Sequence, residues 1–149
     1  LRIAMPELKD IDLSRDAAAA LYVKDEVVAA VFAITAGELA SREGPNRYSV
    51  GDALITGSTG DRWSVSRQRF EAKYESVAPL PAGADGLYRA RPVPVFARQM
   101  TQAFSVARCA GGDLLQGAAQ DWLLQYAPGD FGIVQDARFR QVYRRLAQA

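Results

Sequence analysis

Apolar positions in this chain fall into short extended runs broken by turn signals, and twice the spacing changes to that of a helix. Asp52–Thr56 and Trp122–Tyr126 are extended runs, and each is followed by a turn and a returning run, Arg62–Val65 and Phe131–Val134. In the second turn Pro128 presets φ and Gly129 accepts a positive φ, the type II signature. Both pairs of runs therefore predict a β-hairpin. Behind the hairpins, Phe70, Tyr74 and Val77, and likewise Phe139, Tyr143 and Leu146, are spaced i, i+4, i+7. That spacing predicts an amphipathic helix of about three turns after each hairpin. Ser66 and Asp136 are the expected N-caps. Helices this short must pack on the preceding hairpin to persist.

The two segments are alike. Residues 51–77 align with 120–146 without a gap at an offset of 69, placing Asp52 on Asp121, Phe70 on Phe139 and Tyr74 on Tyr143. Self-similarity of this kind predicts one unit built twice. Val27–Ile34 is β-branched and reads as a strand. Ser14 or Asp16 is placed to cap a short helix over Ala17–Leu21, and Ala36–Ala40 reads as a helical turn before a loop over 42–47. Pro92 and Pro94 exclude a central strand there, so pairing starts near Val95 or lies at an edge. Phe104–Arg108 and Leu114–Leu115 read as strands around a Gly111-Gly112 turn. The fold class expected is α+β: an arm over 1–20, a first repeat over 21–78, a linker over 79–87 and a second repeat over 88–149. Each repeat is a few antiparallel strands closed by a short helix.

Composition narrows the function more than it names one. At 149 residues, 49% hydrophobic and 23% charged, the chain has the makeup of a globular protein. No apolar run reaches the length of a membrane span. A net charge of +1 offers no electrostatic case for a nucleic-acid partner. The start at Leu1 leaves room for residues upstream. One cysteine excludes an intramolecular disulfide and a cysteine-based zinc site, which fits the cytoplasm. The chain has no histidine, so imidazole bases, histidine-activated nucleophiles and the commonest transition-metal ligand are excluded. Carboxylate, arginine, lysine and tyrosine chemistry remains open.

Pro128-Gly129-Asp130-Phe131-Gly132, with Asp121–Tyr126 before it and Arg138-Phe139 to Tyr143 after it, resembles the bacterial family named for its PGDYG motif. The Pro92-Val93-Pro94-Val95 stretch fits the same family, and the wider skeleton is similar to small phage proteins of the GDW…G…F…Y type. Phe131 stands here in place of the name-giving tyrosine, and Gln120 stands where the first copy has Gly51. The resemblance implies the fold unit and carries no reaction.

The strongest candidate ligand set is Arg98 and Gln99 at a strand end with Asp121 and Trp122 at a strand start. An arginine fork, an amide, a carboxylate and a flat ring suit a small polar ligand. The structural alternative is that Trp122 is core and Arg98 pairs with an aspartate. Asp52 and Asp121 raise a second option, a carboxylate pair for acid–base work or a hard cation, against a role in opening their strands. The reading is a non-catalytic binding or sensing module for a small polar ligand or a protein partner, without cofactor or metal and compatible with homo-oligomers. Its rivals are a carboxylate/arginine enzyme working in a groove between the repeats and a phage-type structural protein.

Overall fold

The computed structural model describes residues 5–41 and 44–146. In chain order the elements are β1 (Glu7–Leu8), a 3-10 turn (Leu13–Arg15), β2 (Ala20–Lys24), β3 (Val27–Phe32), β4 (Gly37–Ser41), β5 (Gly44–Tyr48), β6 (Ala53–Thr56) and β7 (Arg62–Val65). They continue with α1 (Arg67–Lys73), β8 (Tyr74–Ser76), β9 (Gly86–Ala90), β10 (Val95–Gln99), β11 (Phe104–Ala107) and β12 (Leu114–Gly117). The last four are β13 (Trp122–Ala127), β14 (Asp130–Val134), α2 (Asp136–Val142) and β15 (Tyr143–Arg145).

The fold is β-rich, which corrects the α+β expectation. Strands dominate the described residues, and the two seven-residue helices are too little to form a helical layer. Each expected three-turn helix stops after seven residues because Tyr74 and Tyr143 leave it for extended backbone and open β8 and β15. The i, i+4 aromatic pairs still meet, across a helix-to-strand corner. Phe70 stacks on Tyr74 at 5.0 Å and Phe139 on Tyr143 at 4.8 Å between ring centroids. Ser66 caps α1, accepting from Arg69 N–H at 3.3 Å. Asp136 is instead the first helical residue of α2, and Gln135 holds the cap position without a side-chain bond.

Three other local expectations give way to pairing. The alanine-rich stretch before Leu21 forms no helix; a 3-10 turn capped by Asp12 precedes it, and Ala20 opens β2. The helical turn expected over 36–40 lies largely in β4, and 44–47 of the expected loop lie in β5, while 42–43 lie outside the described residues. Alanine's helix propensity, a few tenths of a kcal/mol per residue, yields to a ladder of cross-strand bonds.

Two five-stranded sheets form, in the orders β14-β13-β10-β2-β15 and β7-β6-β3-β9-β8. Position for position the order is the same: hairpin return, hairpin start, central strand, a strand from elsewhere in sequence, and the strand that follows the helix. The fourth strand is exchanged. β2 directly precedes β3 in the chain yet pairs with β10, and β9 precedes β10 yet pairs with β3. By contacts the chain divides into 1–23 with 94–149, and 24–93. The segment 24–93 is thus a contiguous insert in the other unit, and residues 79–87 fall inside it rather than between two units.

Each sheet is apolar on the face its helix covers. In the insert, Phe70 of α1 packs with Val28, Ala30, Ile55, Tyr74 and Tyr88. In the other unit, Phe139 packs with Ala97, Leu124, Trp122 and Tyr22. Period-2 alternation along each strand sends the intervening residues to the opposite face. There, in the unit of 1–23 and 94–149, Leu123, Phe131 and Phe96 meet Leu13, Phe104 and Val106 beneath a three-stranded sheet, β1-β11-β12.

Candidate functional site

The four sequence-predicted residues lie together at one end of the β10–β13 pair. Gln99 and Trp122 are cross-strand partners and send their side chains to one acceptor, Asp136 Oδ1. Gln99 Nε2 donates to it at 3.1 Å and Trp122 Nε1 at 2.9 Å, and Arg140 Nε joins them at 2.9 Å. The hydrogen bond from Trp122 holds the Asp136 carboxyl below the ordinary carboxylate range; partial desolvation opposes this, and Arg140 adds to the lowering. The Trp122 ring is stacked on Phe139 at 3.8 Å. Arg98 faces the other side of the strand, where Nη1 pairs with Asp16 Oδ2 at 2.7 Å and Nε is buried without a partner. Asp121 Oδ2 accepts from Ala118 N–H at 2.9 Å.

Asp52 and Asp121 do the same work in their own sheets. Asp52 Oδ2 accepts from Ser49 N–H at 2.9 Å, closing the turn that leads into β6 as Asp121 closes the turn into β13. Among the described residues no group of three or more His, Cys, Asp or Glu side chains is arranged to hold a metal ion.

Sequence reading missed the groove beside α1, in the unit 24–93. It is a shallow, open groove of about 390 Å³ between α1, β8, β9 and the loop at 82–83. Phe32, Phe70, Tyr74 and Tyr88 line its floor, and Arg67 and Arg91 stand on its rim. The Arg67 guanidinium lies 4.3 Å above the Phe32 ring and pairs with Glu71 at 3.3 Å. Arg91 pairs with Glu75 at 3.4 Å. Gly83 admits the Arg67 fork: its φ is +92, and a Cβ there would fall 2.8 Å from Nη2. The loop is fastened from below, Gly83 N–H donating to Tyr88 Oη at 3.0 Å and Tyr88 O–H to the Ala84 carbonyl at 2.7 Å. Residues 32, 67, 83, 88 and 91 converge only through the sheet order, so no local motif announces them. Gly83, inside an apparent linker, is the one local sign of a close approach.

A second cluster was also invisible in sequence. Glu26, its side chain fully buried, accepts from Ser58 N–H and Oγ–H, each at 2.9 Å. Lys24 Nζ lies 3.4 Å from Glu26, donates to Tyr74 Oη at 2.9 Å and sits 5.0 Å from the Trp63 ring centre. The buried charge is thus paired and hydrogen-bonded, as burial demands. It ties the β6–β7 turn to the start of β3 and to the aromatic pair after α1.

This β-rich architecture, with a PGD turn in the β13–β14 hairpin and an aromatic corner after each helix, has a family. The chain matches the PGDYG protein family over residues 44–144, more than half its length, and belongs to that family. No curated protein and no solved structure matches it. The name-giving tyrosine is Phe131 here, whose ring is buried with Leu13, Met100 and Leu123. No helix among the described residues is long and apolar enough to cross a membrane.

Proposed function

We propose that the protein is a non-catalytic binding module and that the groove beside α1 takes a small ligand bearing both a negative and a positive group. One observation carries this reading: two arginine–glutamate pairs stand over an aromatic floor in a single concavity. Both pairs are substantially exposed, with arginine side chains 45% and 43% accessible. Exposed pairs contribute about 0–1 kcal/mol, so a ligand carboxylate replaces the glutamate on Arg67 or Arg91 at little loss. The freed glutamate then meets the ligand's cation, and the rings cover its apolar part. The lone cysteine, exposed and unpaired, suits a reducing compartment, and the cytoplasm is the location proposed.

Calorimetric titration with a panel of amino acids and dipeptides tests the reading. Binding by members of the panel, weakened at least tenfold in Arg67→Ala and Arg91→Ala, is expected. A panel without a binder, or a binder indifferent to both arginines, overturns it.

A further inference from the structure

Arg67, Glu71, Glu75 and Arg91 stand at the groove beside α1, and their charges sum to zero. The two arginines are held differently. Arg91 makes one exposed ion pair, Nη1 to Glu75 Oε2 at 3.4 Å. Arg67 has three neighbours that fix it: the Phe32 ring centre at 4.3 Å, Glu71 at 3.3 Å, and Gly83, where a Cβ would fall 2.8 Å from Nη2.

The surroundings of Arg67 are themselves tied together. Phe32 N–H donates to Asp85 Oδ1 at 2.9 Å, so the strand that presents the ring is bonded to the loop that presents Gly83. Gly83 N–H donates to Tyr88 Oη at 3.0 Å, and Tyr88 O–H to the Ala84 carbonyl at 2.7 Å. Leu80, at the start of the same loop, packs on the core of the insert. The direction of the Arg67 fork is thus set before a ligand arrives. A planar guanidinium offers a carboxylate two parallel N–H bonds, and an oriented fork loses less side-chain freedom on making them. Glu71 is the partner it gives up, a neighbour one helical turn away whose side chain is 65% exposed, and such pairs contribute about 0–1 kcal/mol.

We propose that Arg67 takes the carboxylate of an α-amino acid with an apolar side chain, and that Gly83 sets the selectivity for that carboxylate by leaving room for the fork. The assignment rests on the groove being the ligand site and names the ligand class and the residue that reads it. Carboxylate and ammonium sit on one carbon of an α-amino acid, as Arg67 and Glu71 sit one turn apart on α1, so the displaced Glu71 receives the ammonium. The rings of Phe32, Tyr74 and Tyr88 lie beneath the side chain. Arg91 neutralises Glu75 at the rim and does not touch the carboxylate.

The test is calorimetric titration of L-phenylalanine and L-phenylalaninamide into the whole protein at about pH 6, where both ammonium groups stay charged. The amide, which lacks the carboxylate, is expected to bind about fivefold or more weakly. In Arg67→Lys, which keeps the charge and loses the fork, the two affinities are expected to agree within about twofold, while Arg91→Lys keeps the difference. Gly83→Ala is expected to act as Arg67→Lys does and to add nothing to it in the double variant. Gly60→Ala, at φ +87 with nothing within 4 Å of its Cβ, imposes the same backbone strain and is expected to leave the difference intact. A difference that survives Arg67→Lys or Gly83→Ala, or is lost in Arg91→Lys instead, overturns the proposal. Failure of L-phenylalanine to bind while other zwitterions do overturns it and leaves the groove standing as a site, whereas no zwitterion binding at all overturns both.

Discussion

Gln120 has φ +78, a left-handed conformation that favours glycine, at the position where the other sheet has Gly51 with φ +90. The disfavour at Gln120 lies in its backbone, since a φ in this range is one that residues with a side chain rarely adopt. Left-handed backbone costs about 1–2 kcal/mol for a residue with a side chain, and glycine gives back part of that through a freer unfolded chain. Gln120→Gly is therefore expected to stabilise the protein by about 0.5–1 kcal/mol, read from the midpoint of urea unfolding. A lower midpoint would show that the Gln120 side chain supplies something the turn needs. Asp136 supplies a second prediction. Its folded carboxyl is held below the ordinary value, chiefly by Trp122, so it binds a proton less readily folded than unfolded. Its stabilisation is in full force above about pH 4 and is lost as pH falls through the depressed folded value. Asp136→Asn should flatten this acid limb of the stability curve, followed by Trp122 fluorescence, and an unchanged acid limb would count against the assignment.

At the scale of elements, the aromatic corner after each helix is where packing is concentrated. Phe139 is 2% exposed, stacked between Trp122 and Tyr143 with the Tyr22 edge at 4.9 Å. Phe139→Ala should destabilise by about 3–5 kcal/mol, as large aromatic truncations do. Arg140→Ala, which removes an exposed i, i+4 contact to Asp136, should stay within about 0.5 kcal/mol. Chemical denaturation of the two variants compares them, and equal losses would mean the helix face is wrongly oriented. The hairpins, the Ser66 cap and the strands beginning near Val27, Val95, Phe104 and Leu114 were legible in the sequence, because alternation, proline and glycine act locally. The helix ends, β4 and β5 were not. Tyr74 leaves α1 to pair with Ala90, and Gly37–Ser41 is extended because Gly44–Tyr48 lies beside it. Such choices are made by a distant partner. The groove was hidden for the same reason, since Arg67 and Gly83 meet only once β9 has joined β3.

For the whole molecule the consequence lies in connectivity. The segment 24–93 carries all five strands of its own sheet, whereas β2 and β10 must meet from the two ends of that segment. If the insert unfolds, it becomes a flexible loop of about 70 residues between β2 and β10, and closing it costs about 3–4 kcal/mol beyond a preformed connection. The coupling is therefore one-sided, and the two tryptophans report on it separately, Trp63 on the insert and Trp122 on the other unit. In a Trp63→Phe background, Phe70→Ala should lower the unfolding midpoint seen by Trp122. In a Trp122→Phe background, Phe139→Ala should leave the midpoint seen by Trp63 nearly unchanged. Equal responses in both directions would contradict the asymmetry.

The exchange of strands itself is tested most directly by cross-strand backbone NOEs in the full-length protein. Contacts between Leu21 and Phe96 and between Ala29 and Leu87 are the predicted result, since these pairs define the registers of β2 on β10 and β9 on β3. Contacts that join β2 to β3 and β9 to β10 as simple sequential hairpins would contradict it.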